Sequence, residues 1–134
     1  MIRLLYCSQA KPDFTKETLD EILLISRKNN STAGITGVLV HGGGMFMQVL
    51  EGPEQQVLRT YMKILDDKRH TDSRIIHISP VKERLFDNWT MGVIEAEPLT
   101  FEHVAKLRAR RLESVTADAF YQVMREFNAM LVKT

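Results

Sequence analysis

The glycine triplet at residues 42–44 is the feature that most constrains the fold of this chain. It separates two short apolar segments, residues 37–41 and 45–51. Glycine reaches positive φ at little steric cost, so a triplet between two apolar segments is typical of a tight turn. The pattern therefore predicts an antiparallel β-hairpin made of the second and third strands.

The flanking patterns place one helix before this hairpin and another after it. Thr15 is the predicted N-cap of the first helix, which we expect to end near Asn29 and Asn30, and Gly52-Pro53 opens the second. The resulting order, β-α-β-β-α-β-β, predicts an α+β, ferredoxin-like sheet with two helices on one face. The predicted strands are residues 2–7, 37–41, 45–51, 75–81 and 89–96, and the predicted apolar stripe of the second helix is Val57, Leu58, Tyr61, Ile64 and Leu65.

The opposite face of the predicted sheet also needs a cover. Period two along the third strand puts Met45, Met47 and Val49 on that face, and these side chains need burial. Two further amphipathic helices are predicted within residues 98–134. We expect them to pack on the second face, as a C-terminal segment of the same domain.

Composition limits the classes of function. A length of 134 residues predicts one domain. The formal net charge of +1 gives no overall electrostatic field that would attract nucleic acid or a membrane. The lone Cys7 cannot form an internal disulfide, which favours a reducing cytoplasm. No segment reads as a signal peptide or a transmembrane helix.

Two long polar side chains are predicted to point into the interior. Gln48 shares its strand face with Phe46 and Leu50, and Tyr6 shares the parity of Ile2 and Leu4. A buried amide without partners costs roughly 1–3 kcal/mol. Two interpretations remain open on this pattern: the two side chains satisfy each other, or a bound polar ligand satisfies them.

Other polar residues add weaker signals. Asn29 and Asn30 offer donors and acceptors that suit the edge of a pyrimidine-like ring, although a helix stop explains them equally well. Arg69-His70 could meet phosphates or only offset the negative end of the second helix. Trp89 and Met91 are predicted to share one face of the fifth strand, where they would belong to the core.

At these residues the sequence resembles the BLUF family, flavin-binding sensors of blue light, over about residues 1–95. No single short motif is diagnostic, but their order and spacing together are very specific. The matching segments are residues 5–8 (LYCS) with Ala10, 26–30 (SRKNN), 34–37 (GITG), 46–52 (FMQVLEG), 67–70 (DKRH), 84–86 (RLF) and 89–92 (WTMG).

The resemblance implies a flavin-binding core over residues 1–97 and a non-covalently bound FAD between the first two helices. It implies that Tyr6 donates an electron and a proton after excitation, and that Gln48 switches its hydrogen bonds. Asn30 would bond the pyrimidine edge, with Asn29 close by. The other implied site residues are Arg69 and His70 towards the phosphates, Ser8, Arg27 and Asp67 as weaker candidates, and Trp89 and Met91 in signal output.

Three other functions fit the sequence less well. A ferredoxin-like interaction module without cofactor would be colourless. A hydrolase is disfavoured because His41 and the glycine triplet resemble an oxyanion loop only superficially, and the sequence has no Gly-x-Ser-x-Gly elbow. A metal site at His70 and His77 is disfavoured because no carboxylate cluster supports it. A flavin oxidoreductase is disfavoured because no Gly-x-Gly-x-x-Gly segment is present.

The segment after the family region bears on the output. About 35 residues cannot hold an enzyme domain, so the sequence predicts a stand-alone sensor without catalytic activity, which signals through an unidentified downstream protein. The resemblance implies a homo-oligomer, either a dimer or a larger ring. The basic run at residues 108–111 could bind an acidic partner, but it is better explained as the solvated face of a helix, and it is weak as a DNA-binding site.

Overall fold

The computed structural model describes residues 1–42, 44–87 and 89–95, together with Arg125 and Ala129, which are both helical. The C-terminal helices predicted within residues 98–134 fall outside these described residues, apart from those two positions. The elements in chain order are β1 (Ile2–Ala10), α1 (Lys16–Ala33), β2 (Thr36–Gly42), β3 (Met45–Gly52), α2 (Glu54–Leu65), β4 (His70–Pro80) and β5 (Gly92–Glu95). The predicted α+β class is confirmed.

The described strands form one sheet in the order β4-β1-β3-β2-β5. β3 pairs antiparallel with both β1 and β2, and β4 pairs antiparallel with β1. β5 is added at the far edge, parallel to β2. This is the ferredoxin-like arrangement that the order of elements predicts, with one extra parallel strand.

The two faces of the sheet carry two separate apolar clusters, as period two predicts. On the helix face, Tyr6, Phe46 and Leu50 pack with residues of α1 and α2. On the other face, Met47 and Val49 belong to a cluster that includes Phe86, with Leu85 and Trp89 packed against it. The predicted alternation along β3 is therefore confirmed, and Gln48 lies on the helix face.

α1 differs from the prediction at its C-terminal end, whereas α2 opens at Gly52-Pro53 as predicted. Thr15 is the N-cap of α1, and its hydroxyl accepts from the Thr18 amide at 3.3 Å. The predicted stop near Asn30 is wrong, because α1 continues to Ala33, and the Gly34 amide donates back to the Asn30 carbonyl. α2 begins after Pro53, which is its N-cap residue.

The predicted apolar stripe of α2 is too wide. Val57 and Tyr61 are buried, as predicted. Leu58 and Leu65, however, are 39% and 50% exposed. Leu58 and Leu65 each follow a residue of the face that contacts the sheet, and successive residues of a helix point about 100° apart. Their side chains therefore lie outside that face.

The predicted fifth strand is wrong at its start. β5 begins at Gly92, and Trp89 and Met91 lie in the bend before it. Trp89 packs on the cluster of the face away from the helices, whereas Met91 is buried in the cluster on the helix face. The predicted shared face is therefore wrong, because period two applies within a strand and these two residues precede it.

Gly37 allows the close approach of β2 and β3. A Cβ at this position would lie 1.9 Å from the Val49 carbonyl oxygen. We expect Gly37→Ala to lower the free energy of unfolding by about 3 kcal/mol, because β2 must move away from β3. Gly44→Ala is the matched control. A Cβ at Gly44 would have open space around it, and φ there is 77°, so we expect the free energy of unfolding to fall by only about 1 kcal/mol. Equal losses for the two variants in urea denaturation would contradict this account.

Candidate functional site

A cleft of about 270 Å³ opens between α1 and α2, with Gln48 of β3 among its lining residues. Its walls combine isoleucine side chains with amides, hydroxyls and charges. This mixture is typical of sites that hold a flat apolar ring by a few polar contacts. The lining residues are Ile22, Ile25, Ser26, Asn29 and Asn30 from α1, Thr60, Lys63 and Ile64 from α2, Gln48 from β3, and Asp67 and Arg69 from the following loop.

Tyr6 and Gln48 form the polar pair beneath this cleft. They are direct partners in the β1–β3 ladder, and the Tyr6 Oη–H donates to Gln48 Oε1. The other end of the amide, Nε2, lies 3.4 Å from the Met91 Sδ and donates to it. All three side chains are buried. The structure thus supports the first interpretation of the sequence, because Tyr6 and Gln48 do satisfy each other.

The surroundings of Tyr6 keep its phenol neutral. Burial raises the pKa of Tyr6 far above its ordinary value, and Tyr61 and Asp67 act in the same direction. The rings of Tyr6 and Tyr61 are tilted against each other at a centroid distance of 5.1 Å. The Tyr61 hydroxyl in turn lies 2.9 Å from the Ser73 hydroxyl. Tyr6 is therefore a protonated donor in a fixed orientation.

Residues 90–91 are held by side chains of the same site. The Asn30 Nδ2 donates to the Thr90 carbonyl at 2.9 Å, and the Arg27 Nε donates to the Met91 carbonyl at 3.2 Å. Asn30 is buried and also lines the cleft. The bend before β5 is therefore bonded directly to α1 and to Gln48. A ligand that touched Asn30 and Gln48 would be linked to this bend through one side chain.

Asp67 and Arg69 form an ion pair at the rim of the cleft. The Arg69 Nε and Nη2 both donate to the Asp67 carboxylate, at 2.9 and 2.5 Å. These hydrogen bonds hold the pKa of Asp67 below its ordinary value. Arg69 is thus oriented by its neighbour, and the positive charge that lines the cleft comes from Arg69 and from Lys63 of α2.

A second, smaller hollow of about 50 Å³ shares Ile22, Ile64 and Asp67 with the cleft. Ser8 and His70 also line it, and their Ser8 Oγ and His70 Nδ1 atoms are buried without a hydrogen-bond partner among the described residues. Buried polar groups are normally paired, so two orphans facing one hollow indicate a place for a polar ligand or water.

These donor groups fit a flavin. Apolar walls suit the faces of its ring, Asn30 and Gln48 suit the polar edge, and Lys63 with Arg69 gives positive charge for phosphates. The unpartnered Ser8 Oγ and His70 Nδ1 leave hydrogen-bonding capacity for such a group. The chemistry of the residues present therefore fits the flavin that the family resemblance implies.

The structure sorts the predicted site residues into three groups. Those that line the cleft or the adjoining hollow are Tyr6, Ser8, Asn29, Asn30, Gln48, Asp67, Arg69 and His70. Arg27 and Met91 join the site through the contacts at residues 90–91. Trp89 packs on the opposite face of the sheet, away from the cleft.

Sequence reasoning missed Lys63 and the isoleucines of the cleft walls. Thr60, Lys63 and Ile64 recur at spacings of three and four along α2, so they lie on one side of the helix, next to the face that buries Val57. That spacing could have found them. His70 begins β4 and does not belong to the end of α2, but its Nε2 lies 2.6 Å from the Ile64 carbonyl oxygen in the last turn of α2, which agrees with the alternative that it offsets the negative helix end.

Comparison with known proteins identifies the family. Residues 1–92 match the family described as BLUF, sensors of blue light using FAD. The match covers well over half of the chain, and the chain belongs to the BLUF family. The domain that it matches is a sensor domain.

The relatives include enzyme subunits much longer than this chain. The photoactivated adenylate cyclase subunit beta of Euglena gracilis is 34% identical over 116 residues, which are 85% of this chain and 14% of that protein. The alpha subunit from the same organism is 38% identical over 86 residues, which are 64% of this chain and 8% of the relative. The chain thus spans about a seventh of the length of the beta subunit.

Solved structures show the same fold. BlrB, a BLUF protein in its dark state, superposes with a TM-score of 0.78 at 26% identity, covering 96% of this chain and 95% of that one. BlsA in its photo-activated state gives 0.80 at 24% identity, covering 95% and 94%. A bacterial light-regulated adenylyl cyclase gives 0.71 at 31% identity, with 93% of this chain and 40% of the cyclase covered.

Among the residues that the structure describes, no helix is both long enough and apolar enough to cross a membrane. Within the same part of the chain, no group of three or more histidine, cysteine or acidic side chains is arranged to hold a metal ion.

The buried position of Tyr6 makes a prediction for alkaline titration. We expect the wild type and Tyr6→Phe to gain the same phenolate absorbance up to about pH 11, although free tyrosine ionises near pH 10. The raised pKa leaves stability unaffected below about pH 10, where an unfolded tyrosine begins to ionise, and lowers it above that value. An additional phenolate in the wild type, while circular dichroism still reports a folded chain, would contradict the assignment.

Proposed function

We propose that this protein is a blue-light photoreceptor that binds FAD non-covalently in the cleft between α1 and α2 and signals through Tyr6, Gln48 and Met91. The observation that carries the proposal is the buried chain of contacts from the Tyr6 hydroxyl through the Gln48 amide to the Met91 sulfur. An amide beneath a ligand-sized cleft, bonded to a phenol on one side and a thioether on the other, is suited to a hydrogen-bond switch.

The residues that would hold the cofactor divide by chemistry. Asn30, Asn29 and Gln48 would bond the polar edge of the ring, and Ile22 and Ile25 would cover its faces. Lys63 and Arg69 would meet the phosphates, with Arg69 oriented by Asp67, and Ser8 and His70 would face the adjoining hollow. When bound, the flavin supplies blue-light absorption and one-electron chemistry.

Tyr6 is the proposed electron and proton donor. Its phenol is neutral in the folded protein, so the proton on Oη is available to leave together with an electron. The acceptor already in hydrogen-bond contact with that proton is Gln48 Oε1. A glutamine amide that takes up or returns a proton, or reverses its orientation, exchanges the positions of donor and acceptor.

The output is proposed to pass through residues 90–91 to β5 and to the C-terminal segment, residues 98–134. Met91 immediately precedes β5, whose last described residue is Glu95. We propose that the change alters binding of a downstream protein or the oligomeric state, and that the chain itself carries no catalytic activity. A cytoplasmic location agrees with the cysteine content, because Cys7 is the single cysteine of the sequence and cannot form an internal disulfide.

An absorption spectrum tests the cofactor and the light response together. We expect the full chain, purified or supplemented with FAD, to be yellow, and its flavin band to move reversibly to longer wavelength after blue light. Chromatography of the released flavin distinguishes FAD from FMN. A chain that stays colourless after supplementation would overturn the proposal and favour an interaction module without cofactor.

Two substitutions test the switch itself. Tyr6→Phe should retain the flavin and lose the light-induced shift, because phenylalanine has no Oη proton to transfer. Gln48→Leu should behave in the same way, since leucine keeps the volume and cannot rearrange hydrogen bonds. Arg74→Gln is the matched control, because Arg74 lies on β4 in an exposed ion pair with Asp72. A normal light-induced shift of the flavin band in Tyr6→Phe would contradict the proposed mechanism, but it would not contradict flavin binding.

A further inference from the structure

Glu51 is a fully buried carboxylate on the face of β3 that points away from the helices. Arg3 Nε donates to it at 3.0 Å, and the amides of Leu85 and Phe86 donate as well. The Thr36 hydroxyl adds a contact at 3.3 Å. A buried charge persists only when it is paired and hydrogen-bonded, and these four donors meet that requirement.

The segment that Glu51 holds leads directly to Met91. We use the word strap for residues 84–87 and 89–91. The strap begins on the Glu51 side of the sheet, where Phe86 and Trp89 pack, and ends on the helix side, where Met91 is buried. Its first residue, Arg84, donates to the Gly34 carbonyl at 2.7 Å. The strap therefore joins the two faces of the sheet.

Side chains of one strand, β3, contact both ends of the strap, whose second part is also bonded by Asn30 and Arg27 of α1 and by the Gly37 amide of β2. At the first end, Glu51 of β3 accepts from the amides of residues 85 and 86. At the second end, Gln48 of the same strand donates to the sulfur of Met91 at 3.4 Å. Gln48 and Glu51 are three residues apart, and an odd spacing along a strand puts side chains on opposite faces.

We propose that Glu51 is a positioning residue for the light switch: by fixing the first end of the strap, it keeps the Met91 sulfur against Gln48. Glu51 lies across the sheet from the cleft, so it acts through the strap and not by contact with the cofactor. The inference rests on the proposed function for its photochemical part. The placement of the strap itself does not depend on a flavin.

The first measurement uses Trp89, which is the single tryptophan of the chain and lies in the strap. In the full chain kept in the dark, with and without added FAD, Glu51→Gln should move Trp89 emission to longer wavelength and increase its quenching by acrylamide. The reason is that the NH₂ group of glutamine would face one of the donors whose hydrogen bond the Glu51 carboxylate now accepts, so that this hydrogen bond is lost. Glu83→Gln is the control, because Glu83 is exposed and Arg3 contacts only its carbonyl.

The second measurement uses the FAD-loaded protein after blue light. Glu51→Gln should keep the size of the spectral shift, which Tyr6 and Gln48 produce, and slow the return in the dark. A slowing of roughly tenfold is expected, since losing one charge-assisted hydrogen bond is enough to change a rate constant by that factor. A loosened strap presents Met91 to Gln48 for a smaller fraction of the time, which slows recovery.

Thr36→Val provides a second test if Glu51→Gln does not fold. It removes one donor to Glu51 and one acceptor from Arg84, so it should change Trp89 emission and recovery in the same directions by smaller amounts. If Trp89 emission moves as expected but the return of the flavin band in the dark is unchanged or faster, the proposal is overturned and Glu51 has only a structural role. Unchanged Trp89 emission in a folded variant would also overturn it. A wild type without any light-induced shift would refute the proposed function instead, and Trp89 emission would still decide whether Glu51 holds the strap.

Discussion

The register between β1 and β3 is the constraint on which the rest of this structure depends. It places Tyr6 directly opposite Gln48 on the helix face, and Arg3 directly opposite Glu51 on the other face. A slip of one residue would move every side chain of a strand to the wrong face. Because a different apolar cluster covers each face of these central strands, such a slip would disrupt the packing of both clusters. The buried apolar residues thereby fix the geometry of the polar pairs.

Much of the fold follows from local patterns in the sequence. Alternation along β3 is enough to put Gln48 among apolar neighbours, and Thr15 is enough to predict where α1 begins. The contact between Tyr6 and Gln48 is a different matter, because it joins residues 42 positions apart and depends on which strands become neighbours. Pattern reasoning could therefore find two polar side chains in the interior, and it could not decide whether they meet each other or a ligand.

The errors share a physical cause. A spacing of two predicts one face for Trp89 and Met91, but residues 90 and 91 form a bend that precedes β5, so the alternation of a strand does not apply to them. Asn30 resembles a helix stop, yet its side chain is held by the Thr90 carbonyl, 60 residues away. Glu51 gave no local signal, since every side chain or amide that bonds its carboxylate lies at least 15 residues away. Non-local hydrogen bonds decide all three positions.

The sulfur of Met91 gives the proposed switch its direction. A thioether can accept a weak hydrogen bond and has no proton to donate. The described orientation of Gln48, with Nε2 towards the sulfur and Oε1 towards the Tyr6 hydroxyl, satisfies both ends of the amide. If the amide reverses, Oε1 faces a sulfur that cannot donate, and that contact is lost. In the proposed switch, reversal of Gln48 and release of Met91 are one event, which the strap would carry to Trp89 on the opposite face of the sheet.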